Sequence, residues 1–171
     1  MNLYTSGKTD TMPEILEALR KAVSLDDTPP ITDLIKTGVV PYIIDLISPD
    51  FYQFEKVIIE ASWIATNIVS RESEHVNYLV GLDIIPRAIS LIEHPNDTAR
   101  DNALWILANL AGESLTFRDD ILKRGVVEKL EYLLNTNPGP ASTNSTVVWL
   151  MSNLCRGKPY PNFPDVSLFV I

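Results

Sequence analysis

Apolar residues recur along this chain at helical spacing, and the helical stretches themselves recur. Ile15, Leu16, Leu19, Ala22 and Val23 fall on one face of a 3.6-residue period, which predicts an amphipathic helix over 13–25. Three breaks follow, each leading into an apolar run. They read Gly38-Val39-Val40-Pro41-Tyr42-Ile43-Ile44, Asp83-Ile84-Ile85-Pro86-Arg87-Ala88-Ile89 and Gly125-Val126-Val127-Glu128-Lys129-Leu130. Gly suits the left-handed residue that closes a helix, and Asp tolerates that conformation better than most residues. A short helix is predicted before each break, over 31–37, 74–80 and 117–124. A medium helix and then a long one are predicted after it. The long segments are apolar on most sides. They carry Ile58, Ile59, Ala61, Ile64, Ala65, Ile68 and Val69, then Ala103, Leu104, Ile106, Leu107, Ala108 and Leu110, then Val147, Val148, Leu150, Met151, Leu154 and Cys155. Those faces are predicted to be buried against neighbouring helices.

The same W-x-x-x-N pattern lies on each long segment, as Trp63 to Asn67, Trp105 to Asn109 and Trp149 to Asn153. The tryptophans are 42 and 44 residues apart, and the chain has no others. A period of about 40–47 residues is that of armadillo or HEAT-type helical repeats. The fold predicted is all-α: a right-handed armadillo-repeat solenoid of about three complete repeats plus a partial N-terminal one. A polar segment (1–12) precedes the partial repeat (13–28) and repeats 29–70, 71–112 and 113–156. A Pro-containing tail, 157–171, reads as the start of a truncated next repeat. Solenoids normally end on a polar capping face, whereas 168–171 is apolar, so self-association or fraying is expected at that end.

Counting i, i+3, i+7 along each long helix gives Glu60, Trp63 and Asn67, then Asn102, Trp105 and Asn109, then Thr146, Trp149 and Asn153. Positions three and seven apart share a helix face. Asn lowers helix propensity at interior positions, and a row of exposed Trp is unusual unless something covers it. The pattern suits an extended peptide. An Asn amide donates and accepts, so it can pair with a peptide backbone without reading side chains. Neighbouring Trp rings form a slot for the stem of Lys or Arg, whose charge gains from the ring faces.

Charge points the same way. The 171 residues carry a formal net charge of −8, which disfavours nucleic acid and anionic membrane and favours basic partners. The single cysteine, Cys155, excludes an internal disulfide. With no apolar run in residues 1–10, the expected location is the cytoplasm and nucleus. No motif implies catalysis, a metal or a cofactor. His75 and His94 lack partners at ligand spacing. His94, before Pro95-Asn96-Asp97, reads as a surface turn residue, and Cys155 as a buried structural thiol.

The residues also resemble a family. Glu60-Ala61-Ser62-Trp63-Ile64-Ala65-Thr66-Asn67, Asn102-Ala103-Leu104-Trp105 through Asn109-Leu110-Ala111-Gly112-Glu113-Ser114, and Trp149 through Asn153-Leu154-Cys155-Arg156 look like the first part of the armadillo core of importin α. The resemblance implies a receptor for nuclear localisation signals that binds lysine- and arginine-rich peptides. It implies that Trp63, Asn67, Trp105, Asn109, Trp149 and Asn153 form the Trp/Asn array, with Ser70 in the groove. It further implies that Glu113 pairs with a key lysine, where the family usually has Asp. Arg71 and Val76 stand where the family has a glycine and a threonine hydroxyl, and Thr146 where it has Asn. Weaker lysine binding is therefore expected. The family's basic importin β-binding segment is absent from 1–12, so importin β is not an expected partner. The competing expectation is an armadillo scaffold for protein–protein contacts with no import activity of its own.

Overall fold

The three breaks take the left-handed backbone that ends one helix and starts another. Gly38, Asp83 and Gly125 have φ of 72°, 60° and 74°. Asp83 is the only non-glycine with positive φ among the described residues. The computed structural model describes residues 11–25, 28–136 and 139–167, and the regular structure in them is helical. The apolar tail at 168–171, and the self-association expected of it, lie outside the described residues.

Helix α1 (Met12–Val23) comes first. Three triplets follow, each of two shorter helices and a long one. They are α2 (Ile31–Lys36), α3 (Val40–Asp45) and α4 (Glu55–Val69); α5 (Ser73–Val80), α6 (Ile84–Leu91) and α7 (Asp97–Glu113); and α8 (Leu115–Lys123), α9 (Val126–Thr136) and α10 (Ala141–Cys155). A single turn, α11 (Phe163–Val166), comes last. Helix α1 packs on α4, α4 on α7 and α7 on α10. The long helices thus form a layer of their own, in chain order, and carry one Trp each.

Burial follows the apolar pattern in the middle of the stack. Ile58, Ala61, Ile64, Ala65 and Ile68 of α4 are fully buried, as are Ala103, Leu104, Ile106, Leu107, Ala108 and Leu110 of α7. Helix α10 departs from the expectation. Val147, Leu150 and Leu154 are buried, but Val148 and Cys155 are exposed. They lie on a side of α10 that no described helix covers. The predicted buried thiol is therefore corrected, although partial desolvation still pushes the Cys155 thiol pKa up.

His94 is also corrected: it is buried, not a surface residue. Its Nδ1 accepts from the Asn96 N–H at 3.0 Å. That leaves the proton on Nε2, which donates to the Tyr52 carbonyl at 3.4 Å. The Tyr52 ring meets the imidazole edge-on at 4.8 Å. Two arginines that sequence reasoning did not single out are buried as well, and they hold turns. Arg100 donates to the carbonyls of His94 and Pro95, and Arg118 to those of Arg156 and Pro159. Each also pairs with a carboxylate, Asp97 and Asp119 respectively. A buried guanidinium without such partners would be strongly destabilising.

Candidate functional site: a tryptophan–asparagine ladder

Successive packing of α4, α7 and α10 puts the three W-x-x-x-N patterns side by side. Trp63 is 40% exposed and Trp105 45%, large values for such side chains in so well-packed a layer, and Trp149 is half-buried. These rings do not all present open faces. The Arg20 guanidinium of α1 lies 4.5 Å from the centre of the Trp63 ring. The Trp105 and Trp149 rings have centroids 4.8 Å apart, tilted by 59°. An alkyl stem between two rings needs carbon contacts of about 3.5–4.0 Å on each side. The slot expected between Trp105 and Trp149 is therefore closed in the free chain, and a ring must turn to admit a side chain.

The asparagines share a second feature. Asn67 Nδ2 donates to Ser24 Oγ at 2.8 Å, Asn109 Nδ2 to the Trp105 carbonyl at 2.9 Å, and Asn153 Nδ2 to the Ala108 carbonyl at 2.9 Å. Asn67 and Asn153 thus reach back to the preceding long or first helix, whereas Asn109 bonds within its own. Each amide has two N–H donors and a carbonyl, so at the partly exposed Asn67 and Asn109 one donor and the acceptor remain for a peptide. Asn67 and Asn109 are half-buried, but Asn153 is only 5% exposed. Gly112 makes room for Asn153: a Cβ there would lie 3.3 Å from its Nδ2.

The residues three before each Trp are not on the open stripe. Glu60 is 7% exposed and pairs with Arg20 Nε at 2.6 Å. Asn102 is 8% exposed and ties α7 to α4 through the Ser62 hydroxyl at 3.0 Å and the Ile59 carbonyl at 3.3 Å. Thr146 is buried and donates to the Ser142 carbonyl. Glu60 and Asn102 tilt toward the preceding helix, whereas Thr146 bonds within its own. The ladder is narrower than the i, i+3, i+7 count implied.

Ser70 and Glu113 are exposed at the far end of the ladder helices. Ser70 caps α4 by donating to the Asn67 carbonyl at 2.9 Å. Glu113 ends α7, and its Oε1 accepts the Ser73 hydroxyl from the start of α5. Nearby, Arg71 is exposed and lines a cavity of about 450 Å³ with Thr28, Thr32, Ser70, Glu72 and His75. His75 meets Thr32 Oγ1 through Nε2 at 3.0 Å, and its buried Nδ1 has no partner. Val76, which the resemblance put at a lysine pocket, is fully buried in the core and does not reach the open surface. Among the described residues no cluster of His, Cys, Asp and Glu is placed to hold a metal ion. No described helix is long and apolar enough to cross a membrane.

Stacked helix triplets with one Trp per long helix define an armadillo solenoid of a few repeats, and the comparisons agree. Residues 72–112 match the Armadillo/beta-catenin-like repeat. A designed armadillo repeat protein solved in complex with the peptide (KR)4 superposes with a TM-score of 0.77, over 90% of this chain and 62% of that one, at 22% identity. In sequence, the chain is 36% identical over 154 residues to importin subunit alpha-1b of Oryza sativa subsp. japonica. It is 32% identical over 162 residues to importin subunit alpha-6 of Arabidopsis thaliana. These alignments take in 90% and 95% of this chain, but 28% and 30% of those relatives. The chain is an importin α-like armadillo solenoid that spans less than a third of the length of these relatives.

Proposed function

We propose that the chain is a receptor module for lysine- and arginine-rich peptides of the nuclear localisation type, held extended along the Trp63–Trp105–Trp149 ladder. The observation that carries this reading is the exposure of Trp63 and Trp105 on α4 and α7, two helices whose other apolar residues are buried or half-buried. An exposed ring face attracts a cation, and the half-buried Asn67 and Asn109 amides offer a donor and an acceptor to an extended peptide backbone. Helices about 8–10 Å apart and an extended chain rising about 3.3 Å per residue give a footprint of roughly six to nine residues. The net charge of −8 favours a basic ligand. The likeness to importin α subunits and to a designed armadillo protein bound to (KR)4 supports the same ligand class. The module binds and does not catalyse, and it acts in the cytoplasm and nucleus, in protein import.

Oxidative footprinting tests the reading. With a lysine-rich nonapeptide bound, Trp105 and Trp149 become shielded from hydroxyl radicals, while the exposed Tyr42 and Tyr132 do not. Equal oxidation with and without peptide, or shielding of the tyrosines alone, overturns it.

A further inference from the structure

Helix α1 engages the first rung of the ladder and no other. Arg20 lies 4.5 Å over the Trp63 ring and 2.6 Å from Glu60, and Ser24, one turn on, accepts from Asn67. This arrangement is well fixed. The Arg20 and Glu60 side chains keep only 16% and 10% of their exposure, so the ion pair is largely out of water. A charge-assisted bond of that length in such a site is strong, and its planar guanidinium is the group that stacks best on an aromatic face. Glu60 is therefore unavailable to a ligand cation, and one face of Trp63 already carries one. At the other end of the ladder no arginine or lysine lies over Trp105 or Trp149 among the described residues, and Glu113 is exposed with a neutral hydroxyl as its partner.

We propose that Arg20 is a resident cation of the groove: it fills the Glu60–Trp63 position in cis, stays there when a basic peptide binds, and so confines the peptide's own cations to the stretch from Trp105 to Glu113. This inference rests on the basic-peptide reading and adds a specificity to it. The peptide residue beside Trp63 meets an ion pair of zero net charge on a ring that already stacks a cation, so a lysine there gains little over an uncharged residue of similar length. The peptide residues beside Trp105, Trp149 and Glu113 meet rings that carry no cation, once a ring has turned, and a carboxylate bonded only to the neutral Ser73 hydroxyl, so lysine is selected there.

Nuclear magnetic resonance on the wild-type chain tests this without a variant. The Arg20 Nε–H and the indole N–H groups of Trp63, Trp105 and Trp149 are each observable. On titration with a lysine-rich nonapeptide, the Trp105 and Trp149 indole signals shift, while the Arg20 Nε–H and the Trp63 indole stay in place. Movement of the Arg20 signal toward that of free arginine, together with a Trp63 shift as large as that of Trp105, means that peptide displaces it and overturns the proposal. If no indole signal moves, the basic-peptide reading fails and this inference falls with it. In Arg20→Met the first rung is vacated. The same peptide should then shift Trp63 and bind about three- to fivefold more tightly, the worth of one partly exposed cation–π contact. If Arg20→Met stays folded and Trp63 is still unmoved by peptide, Arg20 is not what kept the cation out.

Discussion

Trp63 and Trp105 hold equivalent places on neighbouring long helices, yet the chain treats them differently. Trp63 has an arginine of α1 stacked on it, an ion-paired glutamate below it, and an asparagine bonded to α1 beside it. Trp105 has a second ring against it, and its asparagine is bonded only to its own helix. One repeated motif therefore serves two purposes. At the first rung it holds α1 to α4 and at the third its Asn153 holds α10 to α7, whereas at the second the asparagine bonds only within α7 and the Trp105 ring stays exposed. A repeat in the sequence does not guarantee a repeat in the chemistry, because each rung sees a different preceding helix.

The largest effect that would break this comparison is on stability. Glu60→Ala leaves the Arg20 guanidinium in a mostly dry site without its carboxylate. Removing one partner of a fully buried pair is destabilising by about 3–5 kcal/mol, and the residual exposure here reduces that to about 2–3 kcal/mol. Urea denaturation should show the loss, with α1 detaching first by hydrogen exchange. Glu113→Ala, the acidic change at the other end, should leave the urea midpoint in place. An equal fall for both would mean that the two ends are not distinct.

The next effect is on binding. Trp105→Ala should weaken a lysine-rich peptide by about 1–3 kcal/mol through lost ring attraction and lost stem burial. Trp63→Ala should weaken it by less than half as much, because that ring's cation comes from within the chain. Anisotropy with a labelled peptide reads both. Ranking in the reverse order would put the main subsite at Trp63. The smallest effect sharpens the electrostatic side. Glu113→Gln removes one exposed charge, worth about 0.2–1 kcal/mol of pairing. The wild-type advantage over Glu113→Gln should shrink as salt rises, since screening acts over about 8 Å at physiological ionic strength. An advantage that persists unchanged in high salt would assign Glu113 a purely steric role.

Much of this fold was legible because its information is periodic. The left-handed breaks at Gly38, Asp83 and Gly125, the helix triplets between them and the buried faces of α4 and α7 all follow from local spacing. The exposed Trp positions were legible for the same reason. What could not be read depends on contacts between repeats. Glu60 and Asn102 sit on the Trp side of their helices by count, but they tilt into the seam with the preceding helix, where Arg20 and Ser62 meet them. Nothing in the local sequence marks Arg20, a charged residue on an amphipathic helix whose partners lie on α4. His94 precedes a proline in a polar turn, yet the turn folds inward onto Tyr52. Val148 and Cys155 have the apolar character of buried positions, but no described helix covers that side of α10. In each case the partner lies about 40 residues away or is not among the described helices, and no local pattern encodes it.

Everything proposed for this chain depends on basic peptide being bound at the Trp105–Glu113 end of the layer of long helices. Calorimetric titration of the wild-type chain with a lysine-rich nonapeptide, and with its alanine-substituted counterpart, at low and at physiological salt, tests it most directly. The lysine peptide should bind one-to-one with an affinity that weakens as salt rises, and the alanine peptide should not bind. Equal binding of the two peptides, or an affinity that salt leaves unchanged, would contradict it.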